Sequence, residues 1–406
     1  TQLEQGDFYV FVDNSNKPHI AVKMNGNSID EVRGLKNGNH QELEEEYRDV
    51  AISFLENNKE IQNGRKWLDK EEWNKRLIEY NKKIDNGTFK SEECGKLIED
   101  LFHKDYRSHF DINSNLEELR GKLYKIKNNL AEYYNCGEEE ICMGDYEPKE
   151  ETRCPYKIIL GNADFYHSKV TNLDNLKIIG KGAFFGYSEV TNLGNLESIG
   201  GFANFGDSKI TDLGNLQHIG EGADFRCSEI TDLGNLQHIG EGADFSNSKV
   251  TSLGNLESIG EYADFRDSEV TDLGNLQHIG ENADFSNSEI TDLGNLQHIG
   301  GYADFSNSKV TSLGNLESIG GYADFRDSGV TTLGNLQNIG GYAYFEDSEV
   351  TDLGNLRIIE GDAYFSNSQV TDLGNIEHIG GKIITEENNA YLKEEYEQRI
   401  KNVIKQ

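Results

Sequence analysis

Gly301-Tyr-Ala-Asp-Phe-Ser-Asn-Ser-Lys-Val-Thr-Ser-Leu-Gly-Asn-Leu-Glu-Ser-Ile-Gly320 is one of eleven consecutive twenty-residue copies that fill residues 161–380 without insertion or deletion. Among the copies, Ala303, Phe305, Ser308, Val310, Thr311, Leu313, Asn315, Leu316 and Ile319 are fixed or nearly so; Gly314 and Gly320 are each replaced once, by Asp174 and Glu360. A period this short and strict describes one coil of a solenoid, because a single coil cannot bury its own apolar side chains and must stack on its neighbours. Ala303-x-Phe305 alternates as a short strand does, with both side chains inward. Phe165, Phe185 and their equivalents up to Phe365 are then predicted to pile into a column of rings about 4.8 Å apart. At roughly 1.5–3 kcal/mol per buried Phe, that column is the main stabilising contribution. The stacked coils make a rod about 50 Å long.

Written from the leucine, the pattern is Leu-x-x-Leu-x-x-Ile-x-x-x-Ala-x-Phe-x-x-Ser-x-Val. It resembles the leucine-rich repeat, whose core reads L-x-x-L-x-L-x-x-N-x-L, over all eleven copies. Ala303 and Phe305 take the paired-leucine places, and Ser308 takes the place of the family's Asn. The resemblance implies a serine ladder to the backbones of adjacent coils and, at so short a period, an extended rather than helical convex side. The Gly-Asn and Ile-Gly-Gly segments fit tight corners at positive φ. A competing resemblance is to pentapeptide repeats. Ala-Asp-Phe-Ser-Asn followed by Ser-Lys-Val-Thr-Ser looks like two of them in succession, which implies a square β-helix. Leu313, Leu316 and Ile319 break that rhythm with intervals of three.

The character of the chain changes near residue 156, which predicts an α+β domain over 1–155, an all-β-type solenoid of leucine-rich-like repeats over 156–385 and a capping helix over 386–406. Lys157-Ile-Ile-Leu160 reads as the tail of a preceding copy and Gly381–Thr385 as a degenerate start of a following one. Tyr391–Ile404 is amphipathic and suited to cover the last coil. In the first domain, Phe8–Val12 and His19–Met24 flank a turn-forming cluster and predict a hairpin, with a third strand at Ile29–Val32. Helical stripes follow at Leu43–Leu55, around Trp73, Leu77 and Tyr80, around Leu97–Phe102, and at Leu119–Tyr133. Gly6–Val12, Lys17–Met24 and Ile29–Gly34, with the Glu-rich stretch after them, resemble the amino-terminal part of PcfJ-like proteins of conjugative plasmids and phages. That resemblance spans at most the first 60 residues and implies a bacterial, phage or mobile-element setting, with no activity to carry over.

The formal charge is -33, of which -24 falls within residues 161–380. So acidic a surface repels phosphate backbones and steers basic partners toward it, so direct nucleic-acid binding is not expected. The five cysteines form no C-x-x-C pair and their number is odd, so neither a zinc site nor a disulfide framework is indicated. They read as reduced thiols of a cytoplasmic protein, with Cys136, Cys142 and Cys154 near the cap of the solenoid. No apolar run approaches the roughly 20 residues that cross a bilayer. A nucleophile elbow, a Walker loop, a dinucleotide fingerprint and H-E-x-x-H are all missing, and His103 and His109, six apart, do not align on one helical face. Neither a catalytic residue nor a cofactor or metal is expected.

The residues beside the inward strand positions are the candidate site. In a leucine-rich coil they face the concave side. Here they form an acidic column that includes Asp224, Asp244, Asp264, Asp284, Asp304 and Asp324. Unit charges one strand apart repel by roughly 1 kcal/mol in water, so the ladder is tolerated unless something positive sits on it. Arg226, Arg266 and Arg326 supply part of that charge. Tyr262, Tyr302, Tyr322 and Tyr342, with Phe202, add an aromatic strip of interface composition. The leading expectation is a non-enzymatic scaffold that grips a basic protein segment; the alternative is a DNA mimic that occupies the channel of a DNA-binding enzyme. His218, His238, His278, His298 and His378 share another column and read as solvent-facing turn residues. Oligomeric state is not legible in the sequence.

Overall fold

The structure, a computed structural model, describes residues 7–12, 18–25, 28–34, 78–90, 127–386 and 390–403. The chain divides into two compact units, and the described residues from Lys127 onward belong with the solenoid. In the first unit, β1 (Asp7–Val12), β2 (Pro18–Asn25) and β3 (Ser28–Gly34) form an antiparallel sheet in sequence order. Their registers shift at Phe11/Val12 and at Lys23/Met24. Residues 78–85 form a helix, α1. The stripes at Leu43–Leu55 and Leu97–Phe102, as well as Cys94, His103 and His109, lie outside the described residues.

The second unit is a parallel β-solenoid of about twelve turns with a twenty-residue spacing. We number coils 1–11 from Gly161, so that coil 8 is Gly301–Gly320. Each coil contributes two-residue strands to two sheets. The Ala–Phe sheet has twelve strands, from Ala163–Asp164 to Ile383–Ile384; the Ile sheet has thirteen, from Ile141–Cys142 to His378–Ile379. Every strand between the ends pairs in parallel with the same residues one coil away, as Ala263 does with Ala283 and Ile259 with Ile279. Isolated bridges such as Asp232–Ser252 tie a third side. The rest of each coil is turn and extended chain, with no helix between Gly161 and Gly380.

The six inward apolar positions explain this register. Ala, Phe, Val or Ile, the two Leu and the Ile of the strand are all buried in one continuous core, which slipping by one residue would turn outward. The eleven phenylalanines are the largest fully buried side chains, and successive rings lie 5.0–5.6 Å apart and nearly parallel. The stacked column predicted from the alternation is therefore present.

Three corners turn the chain, and they differ from the sequence expectation. The Gly-Asn glycine adopts positive φ, as predicted, with Gly314 at 55°. The Ile-Gly-Gly glycines do not. They are required by close approach: a Cβ on Gly300 would lie 1.9 Å from the carbonyl oxygen of Gly280. A further left-handed corner falls two residues after each Phe, at His167, Tyr187 and Cys227 in coils 1, 2 and 4 and at Asn or Asp in the other eight, such as Asn307 at φ 53°. Asn and Asp are the non-glycine types that tolerate this region best.

The polar ladder is also not the predicted one. Ser268, Ser308, Ser328 and Ser348 each donate to the carbonyl of the Phe three residues earlier, at 2.7–2.8 Å, within their own coil. The short serine arm does not reach the next coil. The asparagine column does: Nδ2 of Asn235, Asn255, Asn295, Asn335, Asn355 and Asn375 donates to the Gly carbonyl of the coil before, at 2.8–3.2 Å.

Both ends carry added structure. The helix α2 (Lys127–Tyr133) buries Leu130 and Ala131, and Lys157 Nζ donates to the carbonyl of Tyr134 just after it at 2.7 Å. At the other end, α3 (Ala390–Val403) places Leu392 and Tyr396 in the solenoid core. The Tyr396 hydroxyl accepts from Ile379 N–H at 2.6 Å and donates to Ile379 C=O at 3.2 Å, so it satisfies both backbone groups of Ile379 in the last Ile-sheet strand.

Candidate docking face

The outer surface of the Ala–Phe sheet carries the predicted site. Because the strand alternates, the residue between Ala and Phe points outward, and strict register puts Asp224, Asp244, Asp264, Asp284, Asp304 and Asp324 in one file. These carboxylates are more deeply set than an exposed ladder: Asp224, Asp264 and Asp324 are buried and the other three half-buried.

The structural role of the carboxylates corrects the expectation that the ladder is merely tolerated. Each Asp Oδ1 accepts the backbone N–H two residues on, at 2.8–3.0 Å, and so stabilises the left-handed corner. Ser246 and Ser286 add hydroxyl donors at 2.6 Å to Asp244 and Asp284.

Arginines do the rest. The Arg226 guanidinium is bidentate on Asp224, with Nε to Oδ1 at 3.0 Å and Nη2 to Oδ2 at 2.7 Å, and its Nε also lies 3.3 Å from Asp244 of the next coil. Arg266 repeats the pattern on Asp264 and reaches Asp284 at 3.4 Å. Arg326 is bidentate on Asp324, but the next position in the column is Tyr344, and the guanidinium carbon lies 5.2 Å from that ring's centroid. The hydrogen bonds that the guanidinium groups donate to these own-coil carboxylates raise all three of their pKa values further, so the arginines stay charged at any working pH. Burial pushes the Asp284 carboxyl up from its ordinary value, against the lowering influence of Ser286.

The tyrosines do not form one strip. Tyr302 and Tyr322 stack in parallel at 4.8 Å. Tyr322 meets Tyr344 edge-on at 6.2 Å, and Tyr344 stacks on Tyr364 at 4.8 Å, a pair which the sequence reading missed because these two occupy the Asp column; exposed Tyr342 lies against both of them. Tyr262 is separate, lying over Gly242, and Phe202 lies over Gly222. Burial, then the nearby aspartates, raises the Tyr302 hydroxyl pKa, and burial with Tyr302 and Asp304 pushes that of Tyr322 to about 12. These hydroxyls therefore present neutral donors beside carboxylates.

Other columns carry charge elsewhere on the coil. Lys209–Glu189, Lys249–Glu229 and Lys309–Glu289 pair between adjacent coils as exposed ion pairs, each worth little. Asp212, Asp232, Asp272, Asp292, Asp352 and Asp372 form a second, exposed carboxylate column, and each accepts the N–H of the positive-φ glycine two residues on.

The histidines lie in the Ile-sheet strands rather than in turns. His218 stacks on His238 and His278 on His298, at 5.4 Å, and His238 and His298 each contact a serine of the next coil at about 3 Å. No group of three or more metal-ligating side chains gathers among the described residues. No described helix is long and apolar enough to cross a membrane. Cys136, Cys142, Cys154 and Cys227 are unpaired thiols, and burial pushes Cys154 up to about 12. No protein-family model, curated protein or solved structure matches the chain.

Proposed function

We propose that the chain is a non-enzymatic recognition scaffold whose Ala–Phe sheet grips a basic protein segment through the column Asp244–Asp324 and the tyrosines beside it. One observation carries this reading. The corner needs only a short side-chain acceptor, since Asn204 caps Gly206 N–H at 3.0 Å with no charge, and coils 10 and 11 dispense with the carboxylate by placing Tyr344 and Tyr364 there. Six consecutive charges are therefore more than the turn requires. Cytoplasmic location and a bacterial or mobile-element origin belong to the same proposal, the former supported by unpaired thiols.

The coil section bears on the alternative shape. Ala163 and Ser168, like Phe165 and Val170, are buried at five-residue offsets around a left-handed corner at His167. That supports a pentapeptide-like square coil for this half of the repeat, with the Leu-x-x-Leu-x-x-Ile half closer to the leucine-rich pattern.

The test is a fourfold variant, Asp264→Asn, Asp284→Asn, Asp304→Asn and Asp324→Asn, which keeps the caps and removes the charge. Basic proteins captured from a bacterial lysate at low salt by the native chain are expected to elute as screening rises and to be lost by the variant. Undiminished capture by the variant contradicts the reading. The second carboxylate column, at a different corner, supports the DNA-mimic alternative. That alternative predicts that the chain competes with duplex DNA for a nuclease or topoisomerase, and that the variant still competes.

A further inference from the structure

The arginines follow a rule that leaves one carboxylate out. Each serves the Asp of its own coil and the residue at the same position in the next, so Arg226 covers coils 4 and 5, Arg266 covers 6 and 7, and Arg326 covers 9 and 10. Coil 8 is skipped. It has Ser306 where an arginine would reach its own Asp, and coil 7 has Ser286. Asp304 accordingly accepts the Ser306 N–H at 2.8 Å and, alone of the six, forms no ion pair among the described residues. Tyr302 stands two residues before it on the same outer face and carries the stacked ring of Tyr322, and Asp304 acts on both hydroxyls.

We propose that Asp304, with Tyr302 and Tyr322 beside it, is the anchoring subsite for an arginine side chain of the partner. The inference rests on the docking reading above and adds the chemistry of the anchor. The column shows three times what occupies such a place: a guanidinium forked onto the carboxylate, in one case also against a tyrosine ring. Lysine fits less well, because its compact ammonium makes no planar fork and sheds its hydration less readily. The tyrosine wall lowers the local dielectric, which strengthens a charge-assisted pair relative to an open surface.

The probes are fluorescein-labelled, end-blocked Gly-Arg-Gly-Arg-Gly-Arg and the lysine peptide of equal length and charge, titrated by anisotropy against the full chain. The arginine peptide is expected to bind about tenfold more tightly. Ser306→Arg, which recreates the Ala-Asp-Phe-Arg sequence of coils 4, 6 and 9, should fill the subsite from within and bring the arginine peptide down to the lysine level. Asp304→Asn should do the same while keeping the corner capped. Asp164→Asn in coil 1 makes the same charge change as Asp304→Asn and should leave the preference intact. Circular dichroism melting confirms that each variant folds. Salt-sensitive binding of both peptides with no preference, or a preference that survives Ser306→Arg and Asp304→Asn, overturns the subsite while the acidic docking face stands. Binding of neither peptide overturns both. Binding of cellohexaose in their place, unaffected by Asp304→Asn, also overturns the subsite and assigns the tyrosines to sugar stacking.

Discussion

Replacing Phe265 with Ala removes the centre of the spine, and the structure fixes what should be lost. The ring is fully buried and stacks on Phe245 at 5.2 Å and on Phe285 at 5.1 Å. Its transfer from water is worth roughly 1.5–3 kcal/mol, and the two ring contacts about 0.5–1.5 kcal/mol each. Backbone ladders on both sheets hold the neighbouring coils apart, so the site cannot collapse, and the total falls at about 3–5 kcal/mol. Coils contact only their neighbours, so the loss is concentrated at the two interfaces of coil 6. Urea unfolding followed by far-ultraviolet circular dichroism should give the magnitude, with Phe265→Leu, which mainly loses the stacking, costing about 1–2 kcal/mol. Hydrogen exchange gives the location. The amides of Phe245 and Phe265, which bond the carbonyls of Asp264 and Asp284, should exchange faster, while coils 1–3 keep their protection. A loss below about 1 kcal/mol, or acceleration spread evenly over all coils, would refute the reasoning.

Asn255→Ala removes a 2.8 Å donor to Gly234 C=O and should cost about 1 kcal/mol in the same urea titration, whereas Ser248→Ala, whose buried hydroxyl has no partner, should cost nothing or stabilise. Asp284 has a raised pKa, so the folded state takes up its proton at higher pH than the unfolded chain and gains stability from this group as pH falls through that range; Asp284→Asn should be neutral or stabilising at pH 7, with the difference shrinking in acid. The raised hydroxyls of Tyr302 and Tyr322 act in the same direction at the alkaline end, their contribution being complete below about pH 10 and lost as pH rises toward 12, and Tyr322→Phe should blunt that alkaline loss in pH-dependent melting. Thiol titration should find exposed Cys227 reactive in the native protein and buried Cys154 reactive only on unfolding.

The Phe column was legible because an invariant aromatic at a strict period has one sensible place, the interior. The leucine-rich resemblance points to Ser308 as the ladder residue, whereas the structure gives that role to the equally invariant Asn315; a polar residue that never varies beside a corner is the signal for it. Only the Asn arm is long enough to cross to the next coil. Ile-Gly-Gly was misread for a related reason: glycine answers to positive φ and to close approach alike, and sequence does not separate them. Tyr344 and Tyr364 were missed because they interrupt the Asp column rather than extend the Tyr column. The skipped coil at Asp304 became visible only once each arginine was seen to reach its own coil and the next, a geometry that no spacing in the chain discloses.

Strict repetition makes charge placement on this solenoid unusually constrained, and that bears on what the acidic face is for. Any outward residue kept through the copies becomes a file of like charges one strand apart, so each added Asp costs repulsion that its neighbours must offset. At the Val–Thr side this is handled by alternation, with Lys209 and Lys249 each between coils that bear Glu and Lys309 following Glu289. On the Ala–Phe sheet it is handled by arginines that each span two positions, Arg226 and Arg266 contacting two aspartates apiece and Arg326 one aspartate and a tyrosine ring, so that three reach five of the six aspartates. A face selected only for solubility would have no reason to bury its carboxylates against tyrosine or to leave one of them open, since exposed charge solvates better. At coil 8 a half-buried Asp304, whose charge the corner does not need, is the one carboxylate of the six outside an ion pair among the described residues, and that is the arrangement which our proposed arginine anchor would complete.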